Sequence, residues 1–181
     1  WEGAAALCED IIANSGVELC EAADYADMLR AVNERKGEVL IRSHINNASE
    51  LDWYFAYVRG YIASRPASAS FVRLFGEEPV KDVRLSCCID SRRMNAKAPE
   101  CRLRLSEMVL MLAECRCHQG RDGEALKWLN LLRSKRIEGD CELTSGTLPA
   151  VREDSRIKVD ATGKDLTPLM QAILDERRKE L

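Results

Sequence analysis

The sequence lacks the features that would assign it to several common protein classes. None of its hydrophobic runs approaches the roughly 20 residues that a membrane-spanning helix needs. It has no block of basic residues with interleaved aromatics, and its net charge of −3 argues against a nucleic-acid-binding protein. It begins with Trp1 rather than Met, inside a predicted helix, and ends inside another, so we interpret it as a fragment or a processed chain from which a signal peptide could have been lost.

Motifs for catalysis and for metal binding are also missing. There is no G-x-S-x-G, H-E-x-x-H or phosphate-binding loop, and no cysteine pair has the C-x-x-C spacing of zinc sites. Of the two histidines, His44 and His118, the second follows Cys117 directly, and neighbours on a helix point about 100° apart, which is poor geometry for a nucleophile and its base. We therefore predict a binding protein rather than an enzyme, with no cofactor and no metal.

Eight cysteines are many for a chain of this kind. A chain of 181 residues does not need disulfides for stability, so we expect most cysteines to be buried as small apolar residues. The adjacent Cys87 and Cys88 should point to opposite faces of an extended segment over residues 77–89.

Hydrophobic spacing predicts short helices and one strand in the first half of the chain. We expect helices over residues 1–14, 25–33 and 68–75, a strand over 37–46 and a loop over 91–101.

The second half contains the clearest helices. Residues 102–119 are apolar on two sides, which predicts a helix packed on both. A tight turn at residues 120–123 leads into a second helix, and Ala113 and Ala125 near the turn indicate a helical hairpin of the repeat-protein type. A last helix should begin at Pro168, with Thr167 as its N-cap.

Three motifs in these helices resemble the SusD/RagB family of nutrient-binding proteins. They are R-x-x-E-x-x-L-x-x-A-E (Arg104, Glu107, Leu110, Ala113, Glu114), A-x-x-x-L-N-x-x-R (Ala125, Leu129, Asn130, Arg133) and I-x-x-E-R-x-x-E-L (Ile173, Glu176, Arg177, Glu180, Leu181). An earlier D-x-R, at Asp82 and Arg84, is similar to a further family segment.

The resemblance implies a mainly α fold, with TPR-like helical hairpins, irregular loops and one or two short strands. It also implies one SusD-like domain over residues 1–181, as the C-terminal portion of a longer protein. Residues 1–101 would carry helices, short strands and candidate ligand loops, and residues 102–181 the helical-repeat core.

The function that the resemblance implies is capture of an oligosaccharide at the cell surface. The protein would be a lipoprotein of the outer membrane, held by a lipid anchor that this chain does not contain, and it would pass the glycan to a TonB-dependent transporter (SusC-like). No nucleic-acid partner is expected. The alternative is a TPR-like scaffold that binds a protein or peptide.

Half of all the aromatic residues lie between Trp53 and Tyr61, and this stretch is the candidate ligand site. Aromatic rings cover the flat C–H faces of sugars, while amide, carboxylate and guanidinium groups bond their hydroxyls. The candidate residues are Asn46, Asn47, Asp52, Trp53, Tyr54, Tyr57, Arg59 and Tyr61. The same spacing also fits an ordinary core stripe of a helix or a strand.

The last helix carries charges on the stripe that should face the core. Buried charges are tolerated when they are paired and hydrogen-bonded, so we predict an ionic network of Glu107, Glu114, Glu176, Arg177 and Glu180. We expect Arg177 to bind Glu107 or Glu114, and the network to fix how the helices cross. The alternative is an exposed helix end with weak Glu176–Lys179 and Arg177–Glu180 pairs.

Overall fold

The computed structural model of the chain describes residues 1–31, 35–42, 49, 52–53, 56–57, 68–76, 81–88, 101–139 and 141–180. These residues form helices and one small sheet, so the prediction of a mainly helical fold is confirmed. The elements, in chain order, are α1 (Glu2–Asn14), α2 (Ala22–Arg30), β1 (Val39–Arg42), α3 (Ala69–Val72) with a 3-10 turn (Arg73–Phe75), α4 (Val83–Cys88), β2 (Cys101–Arg104), α5 (Leu105–His118), α6 (Asp122–Ser134) and α7 (Pro168–Glu180).

Helix α5 is the centre of the core and packs against α1, α6 and α7. One of its faces contributes Val109, Leu110 and Ala113 to a cluster with α6 and α7. The opposite face contributes Met108 and Leu112 to a second cluster with α1. The prediction that this helix is buried on two sides is confirmed.

The predicted hairpin joins α5 to α6 through a glycine turn. The amide of Arg121 donates to the carbonyl of Arg116 (2.9 Å) and the amide of Gly120 to that of Cys117 (3.0 Å), which is the Schellman arrangement. Gly120 has a φ of +71°, which glycine adopts without steric cost. Ala113 and Ala125 are completely buried, so the two helices meet with small side chains near the turn.

The first residues of the predicted 102–119 helix form a strand instead. β2 pairs antiparallel with β1, with Val39 opposite Arg104 and Arg42 opposite Cys101. The register is irregular on both sides of Ile41. Strand alternation in the sequence places Ile41 on the same face as Val39, but Val39 is buried and Ile41 is 62% exposed. Arg104 keeps an extended backbone and is the N-cap of α5.

The prediction of extended chain over residues 77–89 is wrong for residues 83–88, which form α4. Asp82 starts this helix: its side chain accepts the amide of Arg84 (3.0 Å) and its carbonyl accepts the amide of Leu85 (3.1 Å). The capping and the packing of Val83 and Cys87 on the α2 core cluster outweigh the weak strand preference of the sequence. Helix α2 likewise begins and ends about three residues before the predicted range.

The last helix begins where the sequence predicts. The hydroxyl of Thr167 accepts the amide of Met170 (3.2 Å), and Pro168 is the first helical residue. In the described part of the chain, none of the helices has the length and apolar character to cross a membrane. The buried Cys8, Cys20 and Cys115 are free thiols, and burial raises the pKa of the Cys20 thiol to about 12.

Candidate functional site

Two of the predicted ligand residues form an exposed aromatic pair. Residues 52, 53, 56 and 57 are helical, so Trp53 and Tyr57 lie one turn apart on the same face. Their ring centroids are 5.4 Å apart and their planes differ by 11°, which describes stacked rings. Trp53 is 67% exposed and Tyr57 is 63% exposed, so neither ring belongs to the core, contrary to the core-stripe alternative.

Asp52 is exposed beside the pair and can accept hydrogen bonds from hydroxyl groups. The other predicted ligand residues, Asn46, Asn47, Tyr54, Arg59 and Tyr61, lie outside the described residues. Within the described part of the chain, no group of three metal-ligating side chains comes together. The surface at Trp53 and Tyr57 therefore offers two aromatic faces and a carboxylate.

The charges of α7 point inward, and Glu180 is completely buried. Its carboxylate accepts hydrogen bonds from Arg104 (2.7 Å), Arg136 (3.2 Å) and Arg84 (3.3 Å). The hydroxyl of Tyr25 also donates to it, at 3.2 Å. Glu180 thereby connects α7 with α2, α4, β2 and the chain after α6.

Glu176, one turn earlier, is the centre of a second set of contacts. Its carboxylate accepts hydrogen bonds from Arg84 (2.7 Å), Arg133 (2.5 Å) and Lys179 (2.5 Å). The predicted Glu176–Lys179 contact therefore exists, but both side chains are buried rather than at the surface. Arg84 bridges the two sets, because it also binds Glu180 and Asp82.

The remaining buried anion is Glu38, just before β1. Both of its carboxylate oxygens accept from Arg136, at 2.6 and 2.7 Å, and one accepts from the amide of Cys20 (3.1 Å). The Arg136 guanidinium lies 4.4 Å from the centroid of the Tyr25 ring, a cation–π distance. We call this group the ion cluster; all of its members are buried except the half-buried Arg133, and it consists of Tyr25, Glu38, Asp82, Arg84, Arg104, Arg133, Arg136, Glu176, Lys179 and Glu180.

Electrostatics keep the two glutamates of α7 ionised. Burial opposes the ionisation of Glu176, but Lys179, Arg84 and Arg133 outweigh it and lower its pKa to about 2. Burial also opposes the ionisation of Glu180, and Arg136, Arg104 and Arg84 lower its pKa well below the usual value. Glu176 and Glu180 are therefore charged at neutral pH, and each is held by several cations.

Arg177 belongs to a separate group on the neighbouring face of α7. It donates to Glu114 (2.9 Å), and its other terminal nitrogen lies 3.4 Å from Glu107, both on α5. Burial raises the pKa of Glu107 although Arg177 acts to lower it. The structure thus brings Arg177 to Glu107 and Glu114, and places Glu176 and Glu180 with other partners.

Eight members of the ion cluster were not predicted from the sequence to belong to a network. Four of them occur in the family motifs (Arg84, Arg104, Arg133 and Asp82), and four do not (Tyr25, Glu38, Lys179 and Arg136). One sequence signal was present: Arg104 lies between Leu103 and Leu105, and charges that interrupt an apolar run are candidates for burial with a partner.

The family of the chain is shown by its sequence. The family model described as the SusD family matches residues 88–181, which is more than half of the chain. The chain therefore belongs to the SusD family. None of the curated proteins matches the sequence.

The fold is similar to a solved structure of the same superfamily. The crystal structure of a SusD superfamily protein from Bacteroides thetaiotaomicron VPI-5482 matches with a TM-score of 0.58 and 20% sequence identity. The match covers 99% of this chain and 43% of that chain. The chain thus has the SusD fold over nearly all its length and spans less than half the length of that relative.

Proposed function

We propose that the protein binds an oligosaccharide at the cell surface, with Trp53 and Tyr57 as the stacking surface. Membership of the SusD family supports this general role. The observation that carries the proposal is the aromatic pair: two large rings are stacked on each other, and both residues remain about two-thirds exposed. An exposed aromatic face is an apolar surface on which the C–H face of a sugar ring can stack.

The proposed binding needs no covalent step. A pyranose ring can lie against the outer face of Trp53 or of Tyr57, and Asp52 can accept hydrogen bonds from its hydroxyls. Asn46, Asn47, Tyr54, Arg59 and Tyr61 remain proposed contributors from the sequence. We further propose that the protein is lipid-anchored to the outer membrane and delivers the glycan to a TonB-dependent transporter, for which family membership is the support.

The test is saccharide binding by the full chain and by two variants. A glycan array identifies a bound neutral oligosaccharide, and calorimetry then measures its affinity for Trp53→Ala and Tyr57→Ala. We expect each variant to lose roughly tenfold in affinity, because each removes a stacking face.

Trp1→Ala is the matched control for this experiment. Trp1 is also partly exposed and also stacked, on His118 with centroids 3.9 Å apart, but it belongs to a different site. Its removal should leave saccharide affinity unchanged. Unaltered binding in both Trp53→Ala and Tyr57→Ala would show that the aromatic pair is not the binding surface.

A second candidate function is a helical scaffold for a protein or peptide. It is supported by a groove of about 560 Å³ beside α6, lined by apolar side chains including Leu126, Trp128 and Leu131. Leu131 is 39% exposed, and Leu131→Asp should abolish peptide binding there without changing saccharide binding. Peptide binding that depends on Leu131, in a protein that binds no glycan, would favour this function over the first.

A further inference from the structure

A second cavity lies on the outer side of α7, away from the ion cluster. It has a volume of about 610 Å³, within the range of roughly 300–1,000 Å³ that is usual for ligand pockets. Its walls come from α7, from the serines at the start of α3 and from the irregular segment 152–157. Four arginines and two aspartates line it, so its charge is positive.

Both aspartates are already paired with cations. Asp175 binds Arg152 with both of its carboxylate oxygens, one of them at 2.7 Å. Asp154 binds Arg73, which is not a lining residue, at 2.7 Å. Arg177 is paired with Glu107 and Glu114 on α5, so the lining arginines that remain are Arg156 and Arg178.

Arg156 and Arg178 are the two cations available to a ligand. In the part of the chain that the structure describes, neither has a carboxylate partner. Arg178 is held over the ring of Phe71, 5.7 Å from its centroid, and donates to the hydroxyl of Ser70 (3.4 Å). A guanidinium has five N–H donors, so most of those on Arg178 remain available.

The buried Gln171 and an apolar wall also line the cavity. Gln171 is 2% exposed; its amide nitrogen donates to Asp175 (2.9 Å), while its carbonyl oxygen has no partner among the described residues. Ile157 and Leu174 supply apolar surface on the same lining.

We propose that this cavity binds an acidic unit of a saccharide, with Arg156 and Arg178 holding its carboxylate or sulfate group. Guanidinium groups bind planar or tetrahedral oxyanions with charge-assisted hydrogen bonds. The apolar wall of Ile157 and Leu174 fits the face of a sugar ring. The saccharide part of this inference rests on the proposed function, whereas the preference for an anion rests on the cavity alone.

The test compares acidic and neutral probes on the full chain by calorimetry at low ionic strength. The probes are tetragalacturonate, a sulfated chondroitin tetrasaccharide and the neutral maltotetraose, and the two acidic probes distinguish a carboxylate from a sulfate. We expect at least one acidic probe to bind about tenfold or more tightly than maltotetraose. The double variant Arg156→Gln/Arg178→Gln should lose this preference and keep its fold, since both side chains are exposed.

Arg121→Gln is the control for a general loss of positive charge. Arg121 is exposed and paired with Glu124 on α6, outside the cavity, so its removal should change affinity for the acidic probe by less than about twofold. Equal losses in Arg121→Gln and in the double variant would overturn the proposal, as would an acidic preference that survives in the double variant.

The remaining outcomes separate this proposal from the proposed function. Neutral-probe binding that depends on Trp53, with no preference for acidic probes, would overturn only the cavity proposal. Absence of binding for all three saccharides, or binding of a polyglutamate peptide in their place, would overturn the assignment of a saccharide to the cavity.

Discussion

Glu180 shows how a charge can be stable in the core of this protein. An isolated buried carboxylate would lose several kcal/mol of hydration, yet three arginines and a tyrosine hydroxyl contact this one. Each of those arginines has a second anion or a carbonyl as partner, so no single pair carries the whole interaction. The removal of one charge therefore affects several elements at once.

Glu180→Gln should lower the free energy of unfolding by roughly 3–5 kcal/mol, because it leaves buried arginines without their shared anion. Urea unfolding followed by circular dichroism measures the change. The matched control is Glu21→Gln, which removes an exposed pair with Lys135 and should lower the free energy of unfolding by less than about 1 kcal/mol. Similar small losses in both variants would mean that the buried charges contribute little.

The ionisation of Glu176 should make the free energy of unfolding depend on pH. Its pKa is about 2 in the folded chain against an ordinary value of 4.5, so ionised Glu176 stabilises the folded state above pH 4.5, and this contribution is lost as the pH falls towards 2. The size of the contribution is about 3 kcal/mol at neutral pH.

Comparison with Glu176→Gln isolates this effect. The wild-type protein should be more stable than the variant at pH 7, and the difference between their free energies of unfolding should shrink as the pH is lowered from 5 to 2. A difference that stays constant over that range would contradict the lowered pKa.

At the scale of elements, the sequence predicted helices well where long apolar stripes and caps agree. The α5–α6 hairpin and the start of α7 are as expected, because the glycine turn and the Thr167-Pro168 cap define their ends. The failures are short segments: α4 and β2 have few residues, so a single capping side chain or one strand partner decides their structure. Neither influence can be read from local hydrophobic spacing.

Replacing glycine with alanine should change the free energy of unfolding in opposite directions at two positions of the hairpin turn. Gly120→Ala should lower the free energy of unfolding by about 1 kcal/mol, since alanine is strained at a φ of +71°. Gly123→Ala should raise it by roughly 0.5–1 kcal/mol, because Gly123 lies in the first turn of α6 and an added Cβ meets nothing within 4 Å. Chemical denaturation measures both, and losses of equal size would contradict the proposed turn geometry.

At the scale of the whole molecule, the family motifs predicted more about which charged residues contact each other than composition did. The charged residues of the three family motifs contact opposite charges in the structure. Arg104, Arg133, Glu176 and Glu180 do so in the ion cluster, and Arg177 does so with Glu107 and Glu114. The partners on distant segments, Glu38 and Arg136, could not be predicted because only the tertiary fold brings them together. The same holds for the cavity beside α7, whose walls come from three separate segments.

The aromatic stretch was open to two interpretations from sequence alone. Helical spacing fits a core stripe and a ligand surface equally, and only solvent exposure distinguishes them. The exposure of Trp53 and Tyr57 supports the second interpretation for these two residues, which is the central claim of the proposed function.

The most direct measurement is a crystal structure of the full chain with the neutral oligosaccharide that binds most tightly on the array. We predict that a sugar ring lies against the outer face of Trp53 or of Tyr57, within the contact distance of about 4.0–4.5 Å between carbon atoms. A saccharide bound elsewhere, with both rings still open to solvent, would contradict the proposed function.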